Sequence, residues 1–184
     1  MNLNTLSLVH DVLRRSVRPG AFCIDATAGK GRDTVLLCRL AGPAGKVLAF
    51  DIQREAIAQT RELLDREGLE ATLICGSHAH MARYAAPGTV DAIVFNFGRL
   101  PGGDPKIFTR AESSLAAIAA GLELLKEGGV MAIALYYGGE NGCAERDAVL
   151  AYVRTLDDKR FSVLSCDWAN RKNDPPLPVF IWKA

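Results

Sequence analysis

The chain has 184 residues, 49% of them apolar and 23% charged, with a formal net charge of +1. That length suits a single domain, residues 1–184, with a sizeable core. The charge balance excludes a polyanion-coating protein that works by bulk charge, and also an acidic disordered chain. Arginines outnumber lysines 15 to 7, which suits phosphates and base edges but does not by itself select a partner.

Short apolar runs alternate with helical periodicity, the pattern of an α/β fold with a mainly parallel sheet. Leu6, Val9 and Leu13 recur on one face of an opening helix, about Asn4 to Arg15. The first strand is expected from Ala21 to Ala26, with a glycine-bearing turn and a helix through Thr34–Leu37 after it. A second strand, Lys46 to Asp51, leads into a helix from about Arg54 to Arg66 that stops at Gly68. Ala71 to Cys75 and Val90 to Phe95 read as strands three and four, the latter apolar enough to be buried on both faces. Thr109-x-x-Glu112 has the form of a capping box for a helix carrying Leu115, Ile118, Leu122 and Leu125, which Gly128-Gly129 ends. Val130 to Tyr136 follows as strand five, then a helix from about Ala144 to Leu156, then strands near Phe161–Trp168 and Pro178–Trp182. Seven strands ending in a hairpin predict a Rossmann-like, mostly parallel sheet with an antiparallel C-terminal strand.

The five cysteines form no C-x-x-C pair, and the N-terminus has no basic-then-apolar leader pattern. No apolar run approaches the ~20 residues of a membrane span. These features predict a reduced, cytoplasmic protein, and the three histidines show no metal-ligand spacing.

Asp25-Ala-Thr-Ala-Gly-Lys-Gly-Arg-Asp33 lies between a predicted strand and a predicted helix, the context of a nucleotide-binding turn. The third glycine of the dinucleotide pattern G-x-G-x-x-G would fall at Thr34, so that pattern is broken. Asp-x-Thr-x-Gly-x-Gly instead resembles the loop of class I S-adenosylmethionine methyltransferases, with Thr27 in place of the first glycine. An acid at the strand tip repels a pyrophosphate and attracts an ammonium or a sulfonium. A merely structural turn is the alternative. Asp25, Thr27, Gly29, Gly31 and Asp33 are therefore candidate cofactor residues. Asp51, 20 residues beyond Gly31, can accept both hydroxyls of a ribose, with Ile52 beside the adenine. Ser77 and His78 follow strand three, where adenine contacts occur in such sheets. His10 and His80 read as surface or core residues.

Ligands of open α/β sheets bind beyond the carboxyl ends of the strands near the switch point. Asn96 is the best-placed polar residue there. Its amide oxygen can accept hydrogen bonds from a substrate amine and aim the nitrogen lone pair at a sulfonium methyl; this makes it the candidate catalytic residue as well as a cofactor contact. Arg99, Pro101, Gly102, Gly103 and Asp104 follow it as candidate substrate residues. Tyr136 and Tyr137 share that rim, where one can stack on a base and the other joins the core by strand alternation. Arg14, Arg15, Arg18, Arg171 and Lys172 are candidate phosphate contacts.

Four stretches together are similar to one family: Asp25–Thr34, Asn96–Asp104, Tyr137–Gly142 with Glu145, and Asn170–Pro176. The chain resembles the small bacterial rRNA methylase family of the MnmM/YtqB type. The resemblance implies a class I fold and S-adenosyl-L-methionine as cofactor. It also implies methylation of the 5-aminomethyl group of a tRNA wobble uridine, often 2-thiolated, to 5-methylaminomethyl-uridine. The implied partner is the anticodon region of tRNA, and the implied assembly is a homodimer with no membrane association. The family usually has Tyr where Arg99 stands and Gly-His where Gly138-Gly139 stand, departures that bear on the substrate and not on the cofactor. Methylation of another RNA such as rRNA, or of a small-molecule amine, is the alternative reading, and an NAD-dependent oxidoreductase a more distant one. A near-neutral domain that grips tRNA needs clustered arginines, with the acidic helix from Arg54 to Arg66 turned away from the RNA.

Overall fold

Cys23 and Ile24 are adjacent in sequence but pack on opposite faces of a sheet, as do Val47 and Leu48, Val94 and Phe95, and Ala132 and Ile133. This two-residue alternation, apolar on both sides, places the strands between two layers of helix. The computed structural model describes residues 3–98, 102, 108–137, 139–172 and 174–184, with 139–141 described by backbone alone. The strands are β1 (Phe22–Asp25), β2 (Lys46–Asp51), β3 (Thr72–Cys75), β4 (Val90–Phe97), β5 (Leu125–Leu135), β6 (Phe161–Ser165) and β7 (Leu177–Lys183). They form a seven-stranded sheet in the order β3-β2-β1-β4-β5-β7-β6. Neighbours from β3 through β5 pair in parallel, and β7 runs antiparallel to both β5 and β6. The expected antiparallel C-terminal strand is therefore present, inserted one position in from the edge.

Helices α1 (Thr5–Ser16), α2 (Arg32–Ala41) and α3 (Arg54–Glu67) cover one face through Val9, Leu13, Val35, Leu37 and Leu64. Helices α4 (Ala111–Leu124) and α5 (Gly139–Val153), with a short 3-10 helix at His78–Arg83, cover the other through Met81, Ile118, Leu122 and Val149. Asn4 caps α1 reciprocally with Ser7, its Oδ1 accepting the Ser7 amide at 2.8 Å and its own amide donating to Ser7 Oγ at 2.9 Å. Gly68 ends α3 in the left-handed conformation, as its position in the sequence predicts.

Four expectations change. Arg110, not Thr109, is the N-cap of α4, and no side chain caps that helix. The Thr109 hydroxyl is used elsewhere: it accepts the Gly98 amide at 2.8 Å and donates to Glu145 Oε2 at 2.7 Å. Leu125 and Gly128-Gly129 belong to β5, not to the helix and its stop; Leu125 pairs with Val90, and the register then jumps so that Val130 pairs with Ala92. The residues between form a bulge in β5, where Gly128 takes φ +74°. Strand β4 runs two residues longer than expected, so Asn96 is a strand residue. Helix α5 starts at Gly139, five residues before the expected Ala144. Its Gly142 lies so close to the chain that a Cβ there would come 2.8 Å from the backbone of Tyr137.

Candidate functional site

The strand order reverses between β1 and β4, and the carboxyl ends of β1, β2, β4 and β5 surround that switch point. Asp25 closes β1 with no solvent exposure. Its Oδ1 accepts the Thr27 amide at 3.1 Å and its Oδ2 the Thr34 hydroxyl at 2.6 Å. Burial, followed by repulsion from Asp33, lifts its pKa from the usual carboxylate range to about 7. Asp25 thus braces the loop from beneath and acts on anything above it through its field.

The loop is stapled to both neighbouring strands. The Ala26 amide donates to Val94 O at 2.9 Å, and the Ala28 amide to Phe50 O at 2.8 Å. The Thr27 hydroxyl accepts the Asn96 amide at 2.7 Å. Gly29 donates its amide to Asp51 Oδ2 at 2.9 Å. Gly31 opens α2 at φ +79°, where a Cβ would sit 3.0 Å from Thr60 Cα, so glycine is required on two counts. Asp51 is half-buried, and its Oδ1 also accepts the Gln53 amide at 2.9 Å. Each oxygen retains a lone pair for a hydroxyl donor. Beside it Ile52 is 57% exposed, an apolar surface at the rim of an otherwise buried strand end.

His78 is buried, with Nδ1 3.1 Å from Ala26 O and its ring edge-on to Phe95 and Phe97. A carbonyl only accepts, so Nδ1 carries the hydrogen and Nε2 keeps a bare lone pair. Nε2 has no hydrogen-bond partner among the described residues. Desolvation lowers the pKa of this imidazole, which keeps it neutral. Ser77 caps the 3-10 helix, its Oγ accepting the Ala79 amide at 3.2 Å.

Asn96, near the end of β4, donates its side-chain Nδ2 to Asp33 Oδ2 at 2.6 Å. Asp33, 6% exposed in the first turn of α2, binds His10 Nε2 of α1 through its other oxygen, also at 2.6 Å. Three elements distant in sequence are thereby joined by one carboxylate. On β5's exit Tyr136 is 42% exposed and Tyr137 only 8%, which settles the alternation left open by the sequence: Tyr136 faces the rim and Tyr137 the core. Burial and the nearby Asp33 both raise the Tyr136 pKa, so its phenol is neutral. The Arg146 guanidinium lies 4.5 Å from the centre of the Tyr137 ring. Gly98, at φ +152°, packs against Tyr136; a Cβ would fall 3.0 Å from that residue's Cβ. Gly102 adopts φ +83° with open space where a Cβ would project. Arg99, Pro101, Gly103 and Asp104 lie outside the described residues. Of the basic residues, Arg14 pairs with Asp11 at 2.9 Å and Arg171 stacks 3.8 Å above the Trp168 ring.

Residues 47–182 match the family model described as "Putative rRNA methylase". The chain belongs to this methylase family. A solved structure of Clostridium thermocellum described as a "putative rRNA-methylase" is 39% identical, with each chain covered in full and a TM-score of 0.97. A protein of Streptococcus mutans described as "a putative methyltransferase", solved in complex with SAH, is 38% identical over the whole of both chains with a TM-score of 0.91. The chloroplastic tRNA (mnm(5)s(2)U34)-methyltransferase of Arabidopsis thaliana is 31% identical over 189 residues, spanning 96% of this chain and 68% of that protein. The fold, the family and the enzyme class expected from the sequence are therefore shown.

His10 is the residue sequence reasoning passed over. Its partner is 23 residues away, and the preceding helix α1 lies outside the strand-loop-helix motif, so no local spacing announces the contact. Glu145 marked the resemblance without a role; here it is 3% exposed and accepts the hydroxyls of Thr109 and Ser114.

Proposed function

We propose that this methylase uses S-adenosyl-L-methionine to methylate the amine of a 5-aminomethyl-uridine in the anticodon region of a tRNA. The supporting relatives are the plant tRNA methyltransferase and the bacterial structure holding SAH. Residues 1–184 form the single catalytic domain in this reading.

The chain's own residues fit that cofactor. Asp25, Asp33 and Asp51 bring three carboxylates to the loop, a field that favours a ligand carrying an ammonium and a sulfonium and opposes a pyrophosphate. The spare lone pairs of Asp51 suit ribose hydroxyls, exposed Ile52 suits an apolar ring face, and the unpartnered His78 Nε2 suits a buried N–H or O–H donor. Asp25, Thr27, Gly29, Gly31, Asp33, Asp51, Ile52, Ser77, His78 and Asn96 are the residues assigned to it, with Asp25 and Ser77 acting through the loop they hold. When bound, the cofactor supplies an electrophilic methyl group.

The observation that carries the amine acceptor is the Asn96–Asp33 hydrogen bond. An amide is planar. Committing Nδ2 to Asp33 turns Oδ1 the opposite way, where it accepts an N–H from a neutral amine and fixes the direction of the lone pair. Such positioning supplies much of the acceleration available to a methyl transfer. Exposed Tyr136 gives a nucleobase a stacking face beside that amide, with Arg99, Pro101, Gly102, Gly103 and Asp104 assigned to the same substrate rim; buried Tyr137, expected as a substrate residue, backs that rim without facing it. Edge strand β6 exposes Val163 and Leu164, an apolar border suited to the second copy of the chain in the homodimer we propose.

The test is nucleoside mass spectrometry of tRNA bearing 5-aminomethyl-uridine after incubation with the protein and S-adenosylmethionine. Conversion to 5-methylaminomethyl-uridine is expected, and Asn96→Ala should slow it at least a hundredfold with SAH affinity changed less than threefold, both order-of-magnitude expectations. Persistence of the unmethylated nucleoside, with cofactor bound, would overturn the substrate; methylation of rRNA or of a free amine in its place would support the alternative acceptors.

A further inference from the structure

We infer that His10 is a positioning residue for the acceptor amide: by donating to Asp33, it holds Asn96 with Oδ1 turned toward the substrate. The inference rests on the function proposed above and adds a component from outside the cofactor loop. Asp33 accepts from His10 Nε2 on Oδ1 and from Asn96 Nδ2 on Oδ2, both at 2.6 Å. A carboxylate has no hydrogen to give, so His10 Nε2 must be the donor. Short hydrogen bonds to an ionised acceptor are the strong kind, and two opposed ones fix the plane of the carboxyl group. At 6% exposure Asp33 has little water to replace a lost partner.

Without His10, the carboxylate plane is free to turn about its Cβ–Cγ bond. Its bare oxygen then competes for the single Asn96 donor pair. The amide loses its one defined orientation, and Oδ1 presents to the amine for only part of the time. Helix α1 is well placed for this duty. Val9 and Leu13 are fully buried against the sheet. At its N-terminal end Trp168 Nε1 donates to Thr5 Oγ1 and Pro176 O, each at 3.2 Å, tying the start of α1 to the segment before β7. The donor that orients Asn96 is therefore carried on a helix anchored at both the sheet and the C-terminal strand. The role needs a hydrogen-bond donor at the Nε2 position and not a titrating ring. The nitrogen of glutamine can occupy that position; alanine cannot.

The experiment compares wild type, His10→Ala and His10→Gln. The first readout is the side-chain amide resonance of Asn96 in the SAH-saturated protein, assigned by its absence in Asn96→Ala. The second is steady-state methylation of tRNA. In His10→Ala the Asn96 amide signal should move upfield and broaden, with kcat about tenfold lower and KM for S-adenosylmethionine within about twofold of wild type. His10→Gln should restore both the resonance and kcat, with the wild-type pH profile. An unmoved Asn96 resonance, an unchanged kcat in His10→Ala, or no rescue by glutamine overturns the inference. Failure of the proposed function looks different: wild type itself leaves the tRNA unmethylated, while the amide resonance still reports whether His10 orients Asn96.

Discussion

Gly98 and Tyr136 show how single atoms shape the proposed substrate rim. Gly98 follows β4 at φ +152°, a region that side chains rarely enter, and its α-carbon faces the Cβ of Tyr136. A methyl group here has to push the tyrosine outward. Gly98→Ala should therefore raise KM for the RNA about tenfold, through a displaced Tyr136, while SAH affinity measured by calorimetry stays within about twofold. The same scale explains why two adjacent tyrosines of identical composition differ. Strand geometry turns consecutive side chains to opposite faces, so only Tyr136 meets the rim.

Among the elements, the segment from β4 to α4 is closed at its base by a clasp. Gly98 O accepts the Thr109 amide at 2.9 Å while the Gly98 amide reaches the Thr109 hydroxyl at 2.8 Å. Glu145, from α5, takes the Thr109 hydroxyl at 2.7 Å and the Ser114 hydroxyl of α4 at 2.6 Å. Burial raises the Glu145 pKa, and the two hydroxyl donors work against that rise. Glu145→Ala leaves two hydroxyls without an acceptor and a void beside Thr109 and Ser114. It should cost about 2–4 kcal/mol by urea denaturation, with Glu145→Gln costing less because one acceptor survives. The sequence suggested Thr109 as a helix cap, a role that competes with this one. A cap accepts a helix N–H on its oxygen; here the Thr109 oxygen accepts the Gly98 amide instead, and its hydrogen, given to the buried glutamate, holds the hydroxyl in that orientation.

For the whole molecule, gathering carboxylates for a cationic ligand opposes the stability of the ligand-free fold. Burial and the neighbouring Asp33 push the Asp25 pKa up to about 7 in the fold, against about 4 for a free aspartate. Its contribution to stability is fully present below the unfolded value and is lost as pH rises through about 7. Asp25→Asn removes this dependence. The variant's melting temperature relative to wild type should be higher at pH 8 than at pH 5, measured without ligand, and its affinity for S-adenosylmethionine should be weaker at pH 8. Equal differences at both pH values would show that Asp25 does not carry this charge.

The sequence by itself determined the parts whose causes are local. The glycine-bearing turn between β1 and α2, Asp51 at a strand tip and the Gly68 stop were legible because each depends on a few consecutive residues and their backbone preferences. Alternation and strand count predicted the mixed sheet, and the four motif stretches pointed to the family. Tertiary structure alone decided how those parts are partnered. It turned Tyr136 out and Tyr137 in, drew Thr109 from a cap into a clasp, and absorbed Gly128-Gly129 into a bulged strand. It also placed His10, from a helix before the first strand, against Asp33 and through it Asn96. Hydrogen-bond partners across a fold are set by which surfaces the core packing brings together, and that packing couples residues with no regular spacing along the chain.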